Sequence, residues 1–177
     1  EAGMASGDDR PHDGVLRAMS FHSDHRVGLV LFPEAYRRIS AVSAYNIGDP
    51  RFSGSPPLGF DRLASAGSVT GAWYVQPTLQ FDPIDGLSLL ASMVWARAST
   101  DLVGLFKTSL AGGSPRNPLG GSVGREMGME IDLGVRYRHE LADAWALELR
   151  MDYGHWWPGA AFVDDSGRRA SAVEVMC

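Results

Sequence analysis

Between residues 127 and 154 hydrophobic and polar side chains alternate with a period of two. Met127, Met129, Ile131, Leu133, Val135 and Tyr137 fall on one side, and Gly128, Glu130, Asp132, Gly134, Arg136 and Arg138 on the other. After a turn expected at residues 141–143, Trp145, Leu147, Leu149, Met151 and Tyr153 oppose Ala146, Glu148, Arg150, Asp152 and Gly154. Successive side chains of a strand point to opposite faces, so the pattern predicts long strands with one apolar and one ionic face. With that turn, Arg136 lies opposite Glu148, and Asp132 lies opposite Asp152 and diagonal to Arg150; such cross-strand pairs are worth about 0.2–1 kcal/mol each.

The same period runs over residues 67–81, where Pro77 is a blemish because it cannot donate to a ladder, and over 87–99. Strands are therefore expected at 67–81, 87–99, 127–139, 144–157 and 171–177, joined by a compact turn at 82–86 and glycine-rich loops at 100–126 and about 158–170. Residues 1–66 carry weaker signals: one or two short strands, including 27–32, a helix opening at Pro33 and running to about residue 44, and an irregular loop at 46–60.

Composition narrows the class. The 177 residues suffice for one domain; 45% are hydrophobic and 21% charged, with 21 Gly and 10 Pro, which excludes a disordered tail and disfavours a helical bundle. The apolar run at 27–32 is far too short for a spanning helix. A net charge of −5 argues against a nucleic-acid partner, and the single Cys177 excludes an internal disulfide or a cysteine-based zinc cluster. Because residues 171–177 read as a strand still in progress, the chain is expected to be a piece of a longer polypeptide.

A soluble sandwich also alternates, with its apolar face turned inward. Four features favour a membrane barrel instead. Strands of about thirteen residues exceed the usual five or six of soluble sheets and reach the length a tilted membrane strand needs. Short and long connections alternate. Aromatic residues gather toward strand ends, so Trp73, Trp95, Tyr137, Trp145, Tyr153, Trp156 and Trp157 are expected in headgroup-level girdles. The polar face carries mid-strand charges of both signs separated by Gly and Ala, as a wet lumen requires: Glu130, Asp132, Arg136, Arg138, Glu148, Arg150, Asp152 and Glu174. The expected fold is an all-β, antiparallel up-and-down transmembrane β-barrel. About five strands cannot close alone, so further strands or other chains must complete it.

The stretch from Gly128 through Glu130-Ile131-Asp132 to Arg138, followed by 147–154 and Pro158-Gly159, resembles the closing strands of alginate-export-type porins. Segments 1–9, 26–32 and 83–87 resemble pieces of porin-like proteins of that type. The resemblance implies an outer-membrane location in a Gram-negative bacterium and passage of polar or anionic solutes. Three arginines against five acids on the expected lumen face give −2, which fits a strongly cationic conduit poorly.

No covalent chemistry is expected. His22-Ser23-Asp24-His25 and the acids at 8–13 lack metal-site geometry, the Gly-x-Ser-x-Gly elbow is absent, and no helix follows the 120–124 glycine cluster to cradle a phosphate, so neither a metal nor a cofactor is anticipated. The segment at 8–66 is expected either to cap the mouth or enter the lumen, with Phe21, Phe32, Tyr36 and Tyr45 anchoring a constriction lined by Arg37 and Arg38, or to be an exposed loop docked on its own apolar side chains. Membrane lipid and small polar solutes are the expected partners. The rival readings are a structural or adhesive outer-membrane barrel and a soluble β-sheet binding module.

Overall fold

The computed structural model describes residues 1–9, 15, 17–22, 24–38, 68–142, 145–169 and 172–176. Seven strands form one antiparallel sheet: β1 (Ala2–Met4), β2 (Ala72–Val75), β3 (Thr78–Ile84), β4 (Leu87–Ala98), β5 (Glu126–Ala142), β6 (Trp145–Pro158) and β7 (Ala172–Met176). Their order is β1-β2-β4-β5-β6-β7, and β3 also pairs with β4. The chain is all-β in class, with strands that follow one another as an up-and-down meander.

Three strands depart from their expected bounds for local reasons. The strand expected over 67–81 divides into β2 and β3 around Pro77, whose carbonyl still accepts from the Met93 N–H at 3.2 Å. β3 continues to Ile84, so the turn shrinks to Asp85 and Gly86, a residue pair suited to two-residue hairpins. β5 runs to Ala142, with a register shift between Glu140 and Ala142.

The β5–β6 pairing therefore lies two residues from the expected register, the strands running on to Ala142 and Trp145 and the one-residue shift taking up the odd step. Arg136 faces Arg150 rather than Glu148, Arg138 faces Glu148, Gly134 faces Asp152, and Asp132 faces Gly154. An even shift preserves the face of every side chain, so the alternation survives although the expected partners change.

Connections of two lengths segregate by end. The β3–β4 and β5–β6 strand pairs are joined at one end of the sheet, and the longer connections of β1–β2, β4–β5 and β6–β7 start and finish at the other. The last group is partly ordered by helix. α1 (Leu105–Leu110) lies within the glycine-rich loop expected at 100–126, and a 3-10 turn (Ala160–Phe162) follows β6. Residues 27–32, expected as a strand, instead form a turn through Val30 that leads into a π-helical turn (Leu31–Tyr36). The Ala35 N–H reaches the Val30 carbonyl at 2.9 Å, and helix continues through Arg38. The rest of the expected helix, and the loop at 46–60, lie outside the described residues.

The core occupies an unusual side of the sheet. Ala72, Tyr74, Val94, Ala96, Ala98 and Trp156 are buried, all even-numbered and all on the face that carries the charges. They pack under Val27, Val30, Leu31, Phe32 and Tyr36 at the loop end. Met127 joins them despite its odd number, because the β4–β5 register shifts between Ala96 and Arg97. The small side chains of β4 at 92, 94, 96 and 98 leave room for a covering segment, whereas the opposite face is bulky and uncovered. Leu79 is 69% exposed, Leu149 57% and Leu133 49%.

Gly86 sits at φ +81, and a Cβ there would collide with the Arg138 carbonyl oxygen. Gly86→Ala is therefore expected to lower the denaturant midpoint, by about 1 kcal/mol or more; an unchanged midpoint would show that the hairpin tolerates a different turn.

Candidate functional site

The polar face of the sheet divides into a covered half and an open half. At the loop end Glu130 is fully buried, and its carboxylate accepts three backbone N–H groups: Leu29 at 2.6 Å and Val30 at 2.7 Å on one oxygen, Leu31 at 2.7 Å on the other. Gly28, at φ +66, turns the chain so that three successive amides converge, and a Cβ there would come within 2.8 Å of the carboxylate. Consecutive amides arranged in this way form an anion-binding concavity, and charge-assisted bonds of this length are among the stronger kind.

Asp132, two residues along the same strand, is also buried at 4% exposure. Its Oδ2 accepts from the Ser92 hydroxyl at 3.1 Å, while its Oδ1 has no hydrogen-bond partner among the described residues. Glu130 and Asp132 were expected to line a lumen. They are instead sealed beneath the chain's own turn, because small residues at 92, 96 and 154 let that turn approach the sheet.

Toward the hairpin end the same face is open. Arg136 and Glu148 pair diagonally at 3.4 Å, both about half exposed, and Arg150 pairs with Asp152 on its own strand at 2.6 Å. Arg136 and Arg150 stand directly opposite one another. Like charges in that position repel, and the two acids offset the repulsion. Arg136, Arg150 and Asp152, with Gln80, Ser88 and Leu90, line an open cleft of about 120 Å³. Arg138 is exposed beside them. Glu174 pairs by backbone with Gly154, and its side chain lies outside the described residues.

Apart from Trp156, the expected girdle residues lie on the uncovered apolar face. Trp95, Met129 and Trp157 are in direct register across β4, β5 and β6, and Trp73 packs edge-on against Trp95 at 4.9 Å. Tyr137 lies eight residues further along β5, level with Leu87 and Leu149, roughly 27 Å away at about 3.4 Å per residue. Trp145 is beyond it and 74% exposed. Tyr153 sits between the levels, opposite Leu133.

Trp156 departs from the expectation. It is even-numbered, points inward at 3% exposure, packs edge-on against Phe162 at 4.8 Å, and donates its indole N–H to the Met127 carbonyl.

The expected constriction residues divide similarly. Tyr36 is buried, donates to the Thr70 carbonyl and meets Phe32 edge-on, so it anchors the turn by packing. Arg37 and Arg38 are exposed and share Glu34 at 2.9 and 3.5 Å. Tyr45 lies outside the described residues. His25 turns away from His22 and contacts the Tyr74 hydroxyl at 2.8 Å and the Glu1 carboxylate at 3.1 Å. Among the described residues, no three His, Cys, Asp or Glu side chains converge to hold a metal.

The amides at 29–31 escaped the sequence reading. A backbone donor has no residue type to mark it, and the apolar run around them reads as strand. Gly28 and Pro33, flanking that run, were the available signal of a turn.

No family model, curated protein or solved structure matches the chain.

Removing the Glu130 carboxylate leaves three buried N–H groups unpaired, so Glu130→Ala is expected to destabilise the fold by about 3 kcal/mol or more. Arg136→Ala, at a half-exposed pair, should cost under about 1 kcal/mol. Denaturant titration of both variants checks the contrast; equal losses would contradict it.

Proposed function

We propose that this chain is part of a porin-like channel in the outer membrane of a Gram-negative bacterium. Its sheet belongs to a transmembrane β-barrel, and polar or charged solutes diffuse along the ionic face without covalent chemistry. The observation that carries this reading is the side on which the sheet is dry. A soluble β-protein buries its apolar face; here the bulky apolar face is the uncovered one, and the chain folds its own turn onto the small and ionic face.

Dimensions support the same reading. β4, β5 and β6 have 12, 17 and 14 residues, enough for a tilted strand to cross a bilayer. The Trp73–Trp95–Trp157 group and the Tyr137–Trp145 group bracket an apolar stretch close to the height of an outer-membrane barrel's lipid-facing band, about 25 Å. Tight turns at one end and long connections at the other match the asymmetry of such barrels. The partners are then membrane lipid on the apolar face, small polar solutes on the ionic face, and further strands or other chains that complete the barrel, since backbone groups in lipid must all be paired.

The open cleft supplies the selectivity element. Its paired charges of both signs suit a weakly selective passage in which reversing one arginine changes the balance. Planar-bilayer recordings of the protein are expected to show discrete conductance steps. Arg136→Glu and Arg150→Glu are each expected to shift the reversal potential toward cations. Steps with unshifted reversal potentials would remove these arginines from the pathway; membrane insertion without any conductance would favour a structural or adhesive barrel.

A further inference from the structure

We infer that Glu130 and Asp132 form a buried proton-binding site, in which Asp132 keeps its proton and donates it in a hydrogen bond to the Glu130 carboxylate. The site lies in the covered half of the ionic face, so it goes beyond the channel reading and does not rest on it. Two neighbouring acids are not in themselves a site. What points to a ligand is Asp132, 4% exposed, whose Oδ1 is sealed in with no hydrogen-bond partner among the described residues.

The surroundings select the ligand. Glu130 is the charged member, because three backbone amides stabilise its negative charge. Its Oε1 accepts two of them and its Oε2 one, which leaves Oε2 room for a further donor. Asp132 receives the Ser92 hydroxyl, and its carboxyl approaches Glu130 closely enough for a hydrogen bond. Two carboxylates in contact repel strongly in a dry compartment, so one proton is held between them. That proton turns Asp132 from an acceptor with nothing to accept into a donor with an acceptor at hand. No element around it offers a compensating positive charge among the described residues. β4 presents Ser92, the covering turn presents Leu29 and Val30, and β6 presents Gly154 with Asp152 two residues away. Arg150 is taken up by that Asp152 at 2.6 Å. A metal ion does not fit. A Cβ built on Gly154 would lie 3.1 Å from Asp132 Oδ1, 2.8 Å from Val30 Cγ2 and 3.1 Å from Leu29 Cβ, so apolar groups wall the space. Among the described residues no third acid, His or Cys converges there.

Infrared spectra of the folded full chain in neutral buffer test this, because a protonated carboxyl absorbs apart from carboxylates and amides. One such band is expected, shifted by carboxyl-labelled aspartate, unmoved by labelled glutamate and lost in Asp132→Asn. The Asn amide presents an N–H where the neutral acid presents an O–H, so Asp132→Asn should fold with a denaturant midpoint no lower than the parent's. Glu130→Gln turns an N–H toward the amides at 29–31 and should lower the midpoint. Raising the pH strips the shared proton and sets two like charges together, so the parent's midpoint should fall more than that of Asp132→Asn. Absence of the band in folded protein, a band that follows labelled glutamate, or one that survives in Asp132→Asn would overturn the site. An Asp132→Asn chain that does not fold would overturn it too, and a midpoint set by the choice of metal salt would put a cation in the proton's place. Bilayer conductance decides none of these outcomes, so the channel reading stands or falls separately.

Discussion

The pleat of a β-strand gives each residue one of two sides, and the rest of this structure follows from which side received bulk. Odd positions of β4, β5 and β6 hold mostly Leu, Met, Trp, Tyr and Val, while even positions, Leu90, Val94 and Trp156 excepted, hold mostly Ala, Ser, Gly and ions. A large apolar side chain cannot lie flat against a second layer as closely as a row of Ala and Gly can. The chain's own turn therefore docks where the side chains are small, and the bulky side stays exposed.

Once the turn docks, Glu130 becomes the residue that makes docking specific. An isolated carboxylate in a dry compartment would be strongly unfavourable, and three amides converging through Gly28 remove most of that cost. The neighbouring Asp132 receives one hydroxyl on Oδ2, and its Oδ1 has no hydrogen-bond partner among the described residues. The inner face thus grades from a fully satisfied acid, through a partly satisfied one, to the exposed ion pairs of Arg136 and Arg150.

Much of this was legible before any coordinates. Period-two alternation placed β4, β5 and β6, their faces and the segregation of short and long connections, because side-chain parity is a direct record of the pleat. What parity leaves open is register. A later turn, with a one-residue bulge at 140–142, set the β5–β6 pairing two residues from the expected register without moving any side chain to the other face, so Arg136 lost its expected direct partner and kept it diagonally. Nor does parity state what lies on top of a face. Glu130 and Asp132 looked like lumen residues until residues 27–36 covered them, and Trp156 looked like a girdle residue although its even number already placed it inside. The covering turn was hardest to foresee: Val27 through Phe32 is as apolar as a strand, and its role depends on backbone amides that no residue type announces.

The central claim is that the odd face touches lipid and the even face touches water. Nitroxide labels placed singly at Leu133 and Leu149, and at Ala146 and Glu148, in protein reconstituted into vesicles test it most directly. The account predicts that molecular oxygen, which concentrates in acyl chains, relaxes the first pair most strongly, and that a water-soluble nickel complex relaxes the second. Labels at Leu133 and Leu149 that are open to nickel and indifferent to oxygen would contradict it.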